Sequence, residues 1–141
     1  MEEFFDAAVR HWYDGKLLEE NMEYDNAVCM QGFAAECALK KIMQTAYPVK
    51  NIRKYGHFGE ALLKDLCVML LNDNSLLTAL DPALGLRLQS IKISNILFKE
   101  HPQRRYYKNG TYNKEDAENS RNDAEKILQE MLKLYVEGYI Q

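Results

Sequence analysis

The stretch Tyr24-Asp-Asn-Ala-Val-Cys-Met-Gln-Gly-Phe-Ala-Ala-Glu-Cys-Ala-Leu-Lys40 constrains the fold more than any other part of the chain. Tyr24, Val28, Ala35, Leu39, Ile42 and Ala46 recur at helical spacing, and Ala27, Met30, Ala34, Cys37 and Ala38 form a second stripe beside them. Apolar residues therefore cover most of the circumference of one helix near residues 24–47, and such a helix needs neighbours on several sides. Ala27, Gly32, Ala34, Ala35 and Ala38 are small enough to let those neighbours approach closely. Asp25 or Asn26 can cap the first turn, and Pro48 ends the helix. Glu36 stands in the middle of this apolar surface, with Lys40 following at the favourable i,i+4 spacing.

The rest of the chain shows the same period. Phe5, Ala8, Val9, Trp12, Tyr13, Leu17 and Leu18 make the stripe of a first helix over residues 4–22, which Gly15 weakens slightly. A polar break at residues 19–23 separates it from the second helix, and a third is expected from about Phe58 to Leu71. A polar break at 72–75 and a short apolar piece lead to Asp81-Pro82, an N-cap and first-turn signal for a helix running to about Phe98. After an irregular segment from Lys99 to Tyr112, Asn113 caps a last helix whose core stripe is Ala117, Ala124, Ile127, Leu128, Met131, Leu134 and Tyr135. No segment alternates with the period of a half-buried strand. The expected fold is all-α: one domain over residues 1–141, an up-and-down antiparallel bundle of four long helices plus a short extra helix.

Composition limits the functions open to such a bundle. A net charge of −3 means that contact with nucleic acid needs a local basic patch. No apolar run is long enough to span a bilayer and the N-terminus is acidic, so no signal peptide or membrane anchor is expected and the reading is cytoplasmic. Cys29, Cys37 and Cys67 lack any CxxC pairing and read as reduced core thiols, so neither a metal site nor a cofactor is expected. No P-loop, dinucleotide fingerprint or nucleotidyltransferase Gly-Ser motif is present.

The run from Tyr24 to Lys40 resembles the pattern of HEPN domains, helical domains of prokaryotes and higher eukaryotes often found beside small nucleotidyltransferases. Gly32-Phe-Ala-Ala-Glu36-Cys-Ala-Leu-Lys40 carries the likeness. Ala7, Trp12 and Leu17-Leu18 on the first helix, Gly56-His57 with Leu62-Leu63, and Arg105-Tyr106 before the Asn-Lys-Glu-Asp-Ala-Glu helix start extend it over nearly the whole chain. The resemblance implies a bundle of four to five helices, commonly a homodimer, that binds or acts on nucleotides or RNA, often as a toxin paired with a nucleotidyltransferase antitoxin. Many members cleave RNA through an Arg, a spacer of four to six residues and a His. Here Arg53 and His57 are separated by only three residues, Arg10 directly precedes His11, and Lys126 stands where a His would follow Arg121. Metal-free cleavage needs a group that titrates near neutrality, so the chain looks more like the non-catalytic branch.

The polar candidates follow from both readings. A carboxylate buried at Glu36 requires a partner, either a structural ion pair or a group such as His57 or Arg105 that it orients in a ligand pocket. Arg104-Arg105-Tyr106-Tyr107-Lys108 joins forked cations to aromatics, as does the Lys50–His57 loop, and both suit phosphates and bases. Glu36, Lys40, His57, Arg104, Arg105 and Tyr106 are the expected ligand contacts. His57 can instead cap the third helix, and His11 and His101 read as surface residues. The expectation is a binding module for a nucleotide, an RNA or a partner nucleotidyltransferase. The alternative is a metal-independent ribonuclease toxin using an atypical Arg/His pairing such as Arg53–His57 or Arg105–His57.

Overall fold

The computed structural model describes residues 2–73 and 80–141. Among these residues there are five α-helices and no strand: α1 (Phe4–Glu20), α2 (Tyr24–Ala46), α3 (Gly59–Asn72), α4 (Leu84–Ser90) and α5 (Lys114–Val136), with single 3-10 turns at Ile52–Tyr55 and Gln103–Tyr106. No helix among them is long and apolar enough to cross a membrane.

The all-round apolar character of α2 is used on three sides, since it packs on α1, α3 and α5. Val28, Ala34, Ala35, Ala38, Leu39, Ile42 and Met43 are all fully buried. α1 comes close to α2 at Gly15, where a Cβ would come within 2.6 Å of Gln31 Nε2. The absence of a side chain there lets Gln31 donate to the Trp12 carbonyl at 3.1 Å. Polar side chains fasten α1 to α5. Trp12 Nε1 donates to Glu125 Oε1 at 3.1 Å, and Arg121 Nε to Glu19 Oε1 at 2.9 Å.

Helix ends follow their capping chemistry, with one exchange of partners. Asn113 and Asp116 form a reciprocal capping box at the start of α5. Asp25, expected as a cap, makes no side-chain cap for α2; its carboxylate accepts from Gly110 N at 2.8 Å and Tyr112 N at 2.9 Å. That loop would otherwise leave two main-chain donors unmatched.

The fourth helix is shorter than its sequence signal. Asp81 Oδ1 does accept from Ala83 N at 2.9 Å, but α4 ends at Ser90 instead of continuing to Phe98. The following residues are held by side chains of α5, which compete with the helical pattern. Asp123 Oδ2 accepts from Ser94 N at 2.6 Å and from the Ser94 hydroxyl, and Lys126 Nζ donates to the Lys92 carbonyl at 3.0 Å. Arg87 ties α4 itself to α5 by donating to Glu130 at 2.8 Å while pairing with Asp81 at 2.7 Å. The expected apolar piece before Asp81 falls largely on residues 74–79, outside the described residues.

Candidate functional site

Glu36 is 3% exposed in the middle of α2 and takes hydrogen bonds from three side chains. His101 Nε2 lies 2.9 Å from Oε1, His57 Nδ1 lies 3.0 Å from the same oxygen, and Lys40 Nζ lies 2.9 Å from Oε2. Burial alone would raise the carboxyl's pKa, but these donors, His101 foremost, hold it down at about 2. An ionised carboxylate only accepts, so both imidazoles must donate to it. His101 therefore carries its proton on Nε2 and His57 on Nδ1, which leaves His57 Nε2 directed away from the carboxylate on a half-exposed ring.

Different elements deliver these groups. Gly56, at φ 53°, turns the chain after the 3-10 turn and so places His57 before α3 begins. Because the imidazole is bound to Glu36, it does not cap α3, whose cap position Phe58 makes no side-chain hydrogen bond. His101 comes from the irregular segment after α4. Contrary to the sequence expectation, it is no surface residue: it is 5% exposed, and burial pushes its pKa down against the opposing pull of Glu36. Its Nδ1 is buried without a hydrogen-bond partner. His11 is likewise half-buried rather than on the surface, and burial together with Arg10 lowers its pKa.

All three histidines of the chain converge on Phe33. Ring centroids lie 5.9 Å away for His11, 5.7 Å for His57 and 4.5 Å for His101. The exposed Arg105 guanidinium lies 6.0 Å from the centroid of the same ring and 5.0 Å from that of Tyr106. The two basic loops of the sequence thus meet at one place on α2.

The remaining expected site residues divide. Arg104 is buried, and its guanidinium is taken up by main-chain carbonyls: Ile96 and, at 3.2 Å, Lys99 on Nη1, with Leu97 at 2.6 Å and Val28 at 3.1 Å on Nη2. It fastens the 96–104 segment to α2 and has no free face for a phosphate. Tyr106 is 77% exposed. Arg53 is 81% exposed with its guanidinium 3.8 Å from Glu2, and it does not join the Glu36 cluster. Arg105 also lines a polar cleft of about 350 Å³ with Tyr24, Tyr107, Tyr112 and the carboxylates Glu23 and Asp25, a volume at the lower end of small-ligand sites.

Sequence reasoning placed His101 on the surface and read Gly32 only as one of several small residues that admit a neighbour, without naming Arg104 and His101 as the groups it admits. A Cβ at position 32 would lie 2.5 Å from Arg104 Nη2 and 2.8 Å from His101 Nδ1. The one signal was a glycine inside an otherwise alanine-rich helix, where it costs about 1 kcal/mol of propensity and so needs a packing reason.

No protein-family model matches the chain, and no curated protein or solved structure is significantly similar to it.

Proposed function

We propose that the chain is a HEPN-like module, an up-and-down antiparallel helical bundle working in the cytoplasm as a homodimer, that binds a nucleotide or an RNA end without cleaving it. Its partner on this reading is a small nucleotidyltransferase in a two-component system. The observation that supports binding is the meeting of the 50–57 and 99–112 loops at Phe33 and Glu36, with the exposed Arg105 between the histidine cluster and the aromatic cleft. Arg105 offers a forked donor to a phosphate, and the cleft rings offer stacking surface to a base. Calorimetric titration of the wild type and Arg105→Ala with nucleoside mono- and triphosphates and a short RNA tests it. Saturable heat that Arg105→Ala removes is expected; no heat with any of them sinks the reading.

One observation favours a second reading, a metal-independent ribonuclease. Glu36 binds His57 Nδ1 and leaves Nε2 free on an exposed ring, the arrangement that lets an imidazole take a proton from a ribose hydroxyl. In this reading Glu36 orients the base, and Arg105, over the same Phe33 ring as His57, neutralises the phosphate. Cleavage of RNA in the presence of chelator, lost in His57→Ala, decides for it.

A further inference from the structure

Glu36, His57 and His101 each bring a metal-ligating atom to one cluster, and these atoms all lie within 4.8 Å of one another. Glu36 Oε1 is 3.0 Å from His57 Nδ1 and 2.9 Å from His101 Nε2. Tetrahedral ligands at bonds of about 2.0–2.1 Å are separated by roughly 3.3 Å, so both nitrogens already stand within a few tenths of an ångström of the required distance from Oε1. The exposed His57 ring closes the third edge, at most 4.8 Å, by swinging towards His101. Lys40 fixes the carboxylate by its other oxygen, Oε2, which also lies 3.2 Å from His57 Nδ1, while Oε1 faces both imidazoles. The rings of His57 and His101 stand 88° apart, so the two nitrogens reach this oxygen from different directions. Two sides of the site are rigid, because Glu36 and His101 are buried, and one is open, because the His57 side chain is 49% exposed.

We propose that Glu36, His57 and His101 form a binding site for a borderline transition-metal ion of the zinc class, with water completing a tetrahedron on the exposed side of His57. The ion replaces the protons on His57 Nδ1 and His101 Nε2, which move to the other nitrogen of each ring. Two imidazoles and a single carboxylate suit zinc, cobalt or nickel ions better than magnesium or calcium, which require more oxygen ligands. Three protein ligands with one open position is the form of a zinc site that binds or activates a further ligand. Metal binding here is independent of nucleotide or RNA binding, which can succeed or fail in chelator-treated protein whatever the metal titration gives.

The test is titration of the chelator-treated full chain with Co²⁺, followed by visible absorption, with Zn²⁺ competition and a Mg²⁺ control. Saturation at one equivalent with the intense bands of tetrahedral Co²⁺, bleached by Zn²⁺ and unaffected by Mg²⁺, is expected. His57→Ala changes a half-exposed side chain and is expected to fold, lose the bands and bind Zn²⁺ more weakly, whereas His11→Ala keeps them. His101→Ala is expected to lose them as well, with its circular dichroism recorded to confirm folding. Absence of the bands in the wild type, an octahedral spectrum, or bands that survive in folded His57→Ala overturns the proposal.

Discussion

His101 Nε2 donates to Glu36 Oε1 at 2.9 Å across 65 residues of sequence, and both side chains are buried. The contact joins the centre of α2 to an irregular segment whose own main chain is held only by single turns, such as Arg104 N to the Glu100 carbonyl at 2.8 Å. It makes Glu36 the acceptor on which two loops and Lys40 depend. Removing it leaves the Lys40 ammonium, 12% exposed, and a buried imidazole without their partner. Glu36→Ala is therefore expected to destabilise the fold by about 3–5 kcal/mol, the cost of a broken buried pair. Glu36→Gln keeps one acceptor and is expected to lose about 1–3 kcal/mol. Urea unfolding followed by circular dichroism measures both; equal stability of Glu36→Ala and wild type would contradict the contact.

Acid should act on this same pair. The Glu36 carboxyl titrates at about 2 when folded and near 4.5 when free, so between these values the unfolded chain binds more protons. Its contribution, about 3 kcal/mol, is present above pH 4.5 and lost as pH falls towards 2. His101 has its folded pKa below 6.5, which likewise gives the unfolded chain more protons as pH falls through 6.5. Stability in chelator-treated protein is expected to decline in two stages, first below 6.5 and then below 4.5. Urea midpoints in the three pH ranges check this, and Glu36→Gln should lack the lower stage.

Arg104 is expected to resist even conservative replacement. Its planar fork serves carbonyls on both terminal nitrogens at once, which an ammonium cannot reproduce. Arg104→Lys should cost about 2–3 kcal/mol, because carbonyls buried behind α2 lose their donors. Gly32→Ala attacks the same contact from the helix side, pressing on Arg104 and His101, and should cost about 1–3 kcal/mol although alanine is the better helix former. Thermal denaturation of both variants tests the pair. A Gly32→Ala protein more stable than wild type would show that the segment yields freely.

These residues also mark where the sequence was legible. α2 could be read because its signals are local: apolar positions at helical spacing, small residues, and Pro48 beyond the end. The Asn113 cap and the need of Glu36 for a partner were legible for the same reason, since each follows from chemistry within a few residues. His101 was not legible, because its burial depends on the path of residues 91–104. That path is set by Asp123 and by carbonyls on Arg104, contacts that span 29 and up to 76 residues. Arg104 and Arg105 are neighbours of the same type, and only the tertiary fold distinguishes the buried one from the exposed one.

Asp25 is expected to stabilise the loop before α5 rather than its own helix. Asp25→Ala frees the amides of Gly110 and Tyr112, and two lost hydrogen bonds at a partly exposed site should cost about 1–2 kcal/mol. The effect should be local, with faster hydrogen exchange at Gly110 and Tyr112 and unchanged protection in the first turn of α2. Loss of protection at Ala27 and Val28 instead would mean that Asp25 acts as the helix cap.

Arg105 offers the opposite combination, an exposed cation whose loss should leave the fold intact. Its guanidinium touches aromatic faces at 5.0 and 6.0 Å and forms no buried hydrogen-bond network, so Arg105→Ala should change stability by no more than about 0.5 kcal/mol. If the cleft and the histidine cluster receive a phosphorylated ligand, the same substitution should weaken RNA binding and reduce the salt dependence of its affinity by about one unit of slope. Arg53→Ala, at an exposed side chain paired with Glu2, should leave that slope unchanged. Fluorescence anisotropy at several salt concentrations measures the slopes. Equal slopes for wild type and Arg105→Ala would remove Arg105 from any phosphate contact and leave the histidine cluster to be judged on its own chemistry.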